Sequence, residues 1–214
     1  MVSSEPSTLS RESTSDDGFV VIHLVGPGGA GKTTVGAALA DRLGLQFVDL
    51  DNEFMSRVGD ISQQIDGEGY RTYARNNVET FISIADSAPS CIIALSSGFM
   101  MYSNEIHSQY TSIRSKIATS PLTFVLLPSI DLEACVRETV RRQLTRPFVR
   151  SAAKEEVVIR ERYAAYMSVP ATKVETMRSV DEVVEALVGL LPPYEPLEQT
   201  PDAYLAGGAR RRIR

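Results

Sequence analysis

Eight consecutive residues, Gly26-Pro27-Gly28-Gly29-Ala30-Gly31-Lys32-Thr33, fit the pattern G-x-x-x-x-G-K-[ST] in full. The chemistry such a stretch can do is to hold phosphate. Glycines let the backbone curl with its N–H groups turned inward, and a helix starting at the lysine offers its positive end to an anion. Lys32 is placed to reach the β- and γ-phosphates of a nucleotide and offset charge as a phosphoryl group moves. The Thr33 hydroxyl is a hard oxygen donor suited to Mg²⁺. Gly28, Gly29, Ala30, Gly31, Lys32, Thr33 and Thr34 are therefore the expected nucleotide-binding residues. A glycine-rich turn that binds nothing is the plain alternative.

Further along, two acids, Asp49 and Asp51, close a short apolar stretch. If both lie on one strand, their spacing of two points both carboxylates to the same face, at the carboxyl end of the strand and toward the phosphates. Two acids at a strand end also suit the start of a helix, where a carboxylate caps exposed N–H groups. Arg162 and Tyr166 are one helical turn apart and share a face.

These residues need a scaffold, and the hydrophobic pattern supplies one. Phe19 to Val25 is a β-branched apolar run feeding the glycine cluster, and from Lys32 the residues Val35, Leu39 and Leu43 repeat at helical spacing until Gly44. Gln46 to Leu50, Cys91 to Leu95, Leu122 to Leu127 and Lys173 to Thr176 read as further strands. Helical stretches are expected at Glu53 to Val58, about Glu68 to Asp86, Asn104 to Ile117, Ile130 to Leu144, Lys154 to Met167 and Val180 to Leu190. Strands alternating with helices imply right-handed crossovers and a parallel sheet covered on both faces, with ligands at the carboxyl ends of its strands. The expected fold is α/β, with one domain over residues 18–191 and tails at 1–17 and 192–214.

Composition narrows the partners. A chain of 214 residues with 43% apolar content can build one full-sized core, and a net charge of −5 argues against nucleic acid or an anionic membrane as the main partner. The N-terminal stretch lacks the apolar core of a signal peptide, so the cytoplasm is the expected compartment. Cys91 and Cys135 fall inside apolar or helical patterns and read as packed, reduced thiols. His23 and His107 have no Cys or His at ligand spacing, which points to structural roles.

Taken together, these motifs make a sequence that resembles the shikimate kinase family. Phe47-Val48-Asp49-Leu50-Asp51 looks like that family's Asp-x-Asp signature, Gly98 stands at its glycine-rich turn, Thr145-Arg146-Pro147-Phe148 looks like its Arg-Pro lid, and Arg162-Tyr163-Ala164-Ala165-Tyr166 looks like its Arg-x-x-x-Tyr. The resemblance implies a three-layer P-loop kinase fold with a central parallel sheet and a mobile lid, at about residues 144–153. It implies a monomer that uses ATP and Mg²⁺ to phosphorylate a small hydroxylated acceptor, shikimate or a related cyclic hydroxy acid or polyol. On this reading Lys32, Asp51 and Arg146 are catalytic, Asp51 holding the acceptor hydroxyl. Thr33 and Asp49 belong to the metal, and Asp51, Arg75, Gly98 and Arg162 bind the acceptor.

The chain departs from the family pattern in two places. A Phe-Arg pair is expected on a helix start, whereas this chain reads Gly69-Tyr70-Arg71-Thr72-Tyr73-Ala74-Arg75. Spacing from Asp51 favours Arg75 as the acceptor ligand, and the local Tyr-Arg pattern favours Arg71. The glycine-rich turn has become Ser96-Ser97-Gly98-Phe99-Met100-Met101-Tyr102, which brings hydroxyls and bulk. Such changes leave room for a second reading, an ATP-binding regulator descended from such a kinase that has lost acceptor turnover. A larger NTPase engine is disfavoured because the strand Cys91 to Leu95 ends in serines, with no acid there to hold Mg²⁺.

Overall fold

A computed structural model describes residues 20–87, 90–145 and 151–192. The apolar runs become five parallel strands, β1 (Val21–Val25), β2 (Gln46–Asp49), β3 (Cys91–Ala94), β4 (Thr123–Leu127) and β5 (Thr172–Glu175), in the order β2-β3-β1-β4-β5. Between and after them run α1 (Lys32–Leu43), α2 (Leu50–Arg57), α3 (Ile61–Glu68), α4 (Tyr70–Ser87), α5 (Tyr110–Thr119), α6 (Leu132–Gln143), α7 (Ala152–Ser168) and α8 (Val180–Leu190). Along each strand side chains alternate between faces. Ile22, Leu24, Phe124 and Leu126 pack with Leu39 of α1 and Leu187 of α8, while Val25, Ile93, Val125 and Leu127 pack with Phe54, Phe81 and Tyr110 on the other side. The result is three layers, helices on both faces of the sheet. Each fully buried Leu, Ile or Phe in these clusters contributes about 1.5–3 kcal/mol by leaving water.

Several boundaries differ from the sequence reading for identifiable reasons. α2 begins at Leu50 rather than Glu53 because the Asp49 carboxylate accepts from the N–H groups of Asp51 and Asn52 and starts the helix early. α3 was not anticipated. It is capped by Asp60 and packs on the core only through Ile61 and Ile65, both partly buried, too short an apolar pattern to stand out in the sequence. The single helix expected over Asn104 to Ile117 begins only at Tyr110. The Tyr110 hydroxyl donates to the Phe99 carbonyl at 2.6 Å and accepts from the Tyr102 N–H at 3.0 Å, pinning a compact loop ahead of the helix.

Cys91 and Cys135 are buried free thiols. His23 lies against Phe81 with the rings tilted by 40°, and burial pushes its imidazole down to about 4. Among the described residues no helix is long and apolar enough to cross a membrane. Arg146 and the expected lid residues 146–150 lie outside the described residues, as do both expected tails apart from Pro192.

Candidate active site

The glycine-rich loop joins β1, the central strand, to α1, and so sits at the carboxyl edge of the sheet. Its shape demands glycine. Gly26, Gly29 and Gly31 have φ of 148°, 78° and 93°, and a Cβ on Gly26 would stand 2.2 Å from the Leu126 carbonyl oxygen. The loop's carbonyls are held from several sides. Lys32 Nζ donates to the carbonyls of Gly26 (2.8 Å) and Pro27 (3.0 Å), Arg142 Nη1 to that of Gly29 (3.1 Å), and the Thr176 hydroxyl to that of Ala30 (2.9 Å). Gly31, the N-cap of α1, offers no side-chain cap, whereas Asp49, Asp131 and Ser179 cap α2, α6 and α8. An uncapped helix start beside a glycine cradle fits an anion.

Gly28, Gly29, Gly31, Lys32, Thr33 and Thr34 line a cleft of about 120 Å³ that they share with Asp49, Asp51, Ser97 and Gln143. Ala30 is fully buried behind the loop and offers only its backbone. Asp49 has two tasks. Its Oδ1 caps α2, and its Oδ2 accepts from the Thr33 hydroxyl at 2.6 Å. A hydroxyl and a carboxylate are the hard oxygen donors Mg²⁺ takes. Among the described residues no three His, Cys, Asp or Glu side chains cluster as a metal cage.

The spacing argument for the two acids needs a correction. Only Asp49 ends β2; Asp51 lies in the first turn of α2, because the Asp49 cap converts strand to helix between them. Asp51 reaches the cleft all the same. Its Oδ1 accepts from the Ser96 hydroxyl at 2.5 Å. The Ser96 oxygen accepts from Asn77 Nδ2 at 3.0 Å, and Asn77 Oδ1 accepts from the Tyr102 hydroxyl at 3.1 Å. Beside them the Tyr73 phenol is pushed up to about 12, by burial first and then by the Asp51 charge, and so stays protonated.

Arg162 and Tyr166, both on α7, converge on one residue. Arg162 Nη1 donates to the Ser97 hydroxyl at 2.9 Å, and the Tyr166 hydroxyl donates to the Ser97 carbonyl at 3.1 Å. Gly98 has an ordinary φ of −105°, and side chains of the site crowd its α-carbon. A Cβ there would lie 2.6 Å from the Tyr70 hydroxyl and 3.9 Å from Arg162 Nη2.

Arg75 does not join this group. On α4 the residues that meet the site are Tyr70, Tyr73 and Asn77, and at ~100° per residue Arg75 stands roughly 140° around the helix from Tyr70. It is exposed and lies 3.9 Å from Glu79. The structure does not bring Arg75, the expected acceptor ligand, to the cleft. Arg71 is also exposed.

Asn77 and Arg142 stood outside the expected site, and the hydroxyls of Ser96 and Tyr102 were read only as departures within the turn. Arg142 had one readable signal, its i,i+4 spacing from Glu138, to which it is paired at 2.7 Å. Its bonds to Gly29 and Thr176 cross between distant segments and leave no mark in the sequence.

A family model described as shikimate kinase matches residues 28–191. Shikimate kinase 2 of Enterobacter sp. (strain 638) is 32% identical over 172 residues, covering 79% of this chain and 94% of that protein. Among solved structures, shikimate kinase from Bacteroides thetaiotaomicron superposes with a TM-score of 0.62 at 19% identity, covering 80% of this chain and 98% of that one. Shikimate kinase from Acinetobacter baumannii in complex with shikimate superposes with a TM-score of 0.60 at 24% identity, covering 81% and 93%. At these identities the two structures speak for the fold.

Proposed function

The chain belongs to the shikimate kinase family of ATP-dependent small-molecule kinases, and from that premise we propose that it transfers the γ-phosphoryl group of ATP to a hydroxyl of shikimate or a related cyclic hydroxy acid or polyol. One arrangement supports the reading above all. Asp51 opens into the same cleft as Lys32 and Thr33, with Arg162 bonded to Ser97 on the cleft's wall. A carboxylate placed there can orient an acceptor hydroxyl toward the phosphates that the loop would hold.

In this scheme the acceptor oxygen bonds to the γ-phosphorus, its proton passes to Asp51, and the bond from that phosphorus to the bridging oxygen breaks to leave ADP. Lys32 offsets charge on the transferring group, and Arg146 is assigned the same task. Mg²⁺, held by Thr33 and Asp49, would supply charge neutralisation for the phosphates. Arg162 would grip the acceptor's carboxylate. A complex of the Acinetobacter relative with shikimate makes that acid the first acceptor to test.

The test is ADP release with shikimate, other cyclic hydroxy acids, cyclitols and gluconate. At least one cyclic acceptor should raise the rate on the order of 100-fold above the acceptor-free reaction. ATP binding with no acceleration by any of these, or by a wider metabolite set, would favour a nucleotide-holding regulator.

A further inference from the structure

Ser96 has a single hydroxyl proton, and its surroundings decide where that proton goes. The Asn77 amide donates to the Ser96 oxygen at 3.0 Å, and although the Tyr73 hydroxyl also neighbours Ser96, the Ser96 proton points to the Asp51 carboxylate, whose Oδ1 is 2.5 Å away. Asn77 is itself oriented, because the Tyr102 hydroxyl donates to its carbonyl oxygen at 3.1 Å. Three successive hydrogen bonds thus run in one direction, each donor facing the carboxylate. The three relay residues are between 0 and 4% exposed, which removes water as a competing partner and strengthens each bond. Tyr102 is fixed in turn: its N–H donates to the Tyr110 hydroxyl and its ring packs against Phe99 and Tyr110.

Resting on the kinase reading of the cleft, we propose that Asn77 and Ser96 are positioning residues for Asp51, aligned by Tyr102. They commit Oδ1 to the protein and leave Oδ2 as the oxygen that receives the acceptor hydroxyl. A carboxylate on an isolated side chain can rotate and present either oxygen. Here the relay selects one orientation before any acceptor arrives, which removes a search from the reaction, and misplacement by ~1 Å is enough to cost about 100-fold in rate. The arrangement also explains why a buried, polar Asn77 is kept in the middle of α4, where an apolar residue would otherwise pack against Val78 and Phe81.

The experiment is a pair of crystal structures, parent and Ser96→Ala, with kinetics on both and on Tyr102→Phe. The parent should show Asp51 Oδ1 on Ser96, and the Ser96→Ala structure should show the Asp51 carboxylate turned away. The kcat of Ser96→Ala should fall about 10- to 100-fold with KM for ATP within about two-fold of the parent, and Tyr102→Phe should lose about two- to five-fold. An unmoved Asp51 carboxylate in Ser96→Ala, with kcat within two-fold of the parent, overturns the relay. A parallel loss of kcat, ATP affinity and melting temperature overturns it as well, since that pattern belongs to a structural residue. If Asp51 turns as expected but the parent phosphorylates no acceptor, the positioning role stands and the kinase reading falls.

Discussion

The two ends of the cleft are built in different ways. The phosphate end comes from one contiguous stretch, residues 26–34, braced from behind by Arg142 and Thr176. The acceptor end is assembled from four separate segments: Asp51 on α2, Tyr70, Tyr73 and Asn77 on α4, Ser96 to Tyr102 after β3, and Arg162 with Tyr166 on α7. A contiguous loop is fixed by its own backbone, so its chemistry travels with its sequence. A convergent pocket depends on how helices pack, so the same fold can change its acceptor by changing a few side chains.

Variants on each side should break or sharpen that contrast. Lys32→Ala should lower kcat by about 10³-fold or more, because its charge is used on the nucleotide, and loss of its bonds to the Gly26 and Pro27 carbonyls should cost about 1–2 kcal/mol by urea unfolding. Near-normal turnover would remove the loop from the chemistry. At the acceptor end, Arg162→Ala should raise the acceptor KM about 10- to 100-fold while leaving KM for ATP near the parent value, since a guanidinium on a carboxylate is worth several kcal/mol at most. A loss confined to ATP would move Arg162 to the nucleotide side.

Arg142→Ala should act on the phosphate end from behind. Removing bonds to Gly29, Thr176 and Glu138 should cost about 1–3 kcal/mol of stability by urea unfolding and raise KM for ATP a few-fold, with acceptor KM unchanged. Smallest of all, Arg75→Ala should change acceptor KM by less than about two-fold, as expected of an exposed i,i+4 ion pair. A large effect would restore Arg75 to the pocket.

Legibility in the sequence followed the same division. The loop, the strand before it and α1 ending at Gly44 were readable because period and punctuation are local. Asp51 was found, although by a strand argument that the Asp49 cap undoes. Arg162 and Tyr166 were readable as a helical pair, but their shared partner Ser97 lies 65 and 69 residues away. The orientation of Arg71 and Arg75 depends on the rotation of α4, which is set by the burial of Tyr73, Asn77 and Phe81 and leaves both arginines exposed. The relay through Asn77 and Ser96 is invisible without coordinates, since neither residue type announces a partner.

The central claim is that Asp51 orients the acceptor hydroxyl, and Asp51→Asn tests it most directly. The amide keeps the size and reach of the side chain but cannot take the proton as a carboxylate does. ATP affinity, measured by titration calorimetry, should stay within a few-fold of the parent, while phosphoryl transfer to the best acceptor should fall by about 10²- to 10⁴-fold. Transfer at the parent rate would place the acceptor hydroxyl elsewhere and contradict the account.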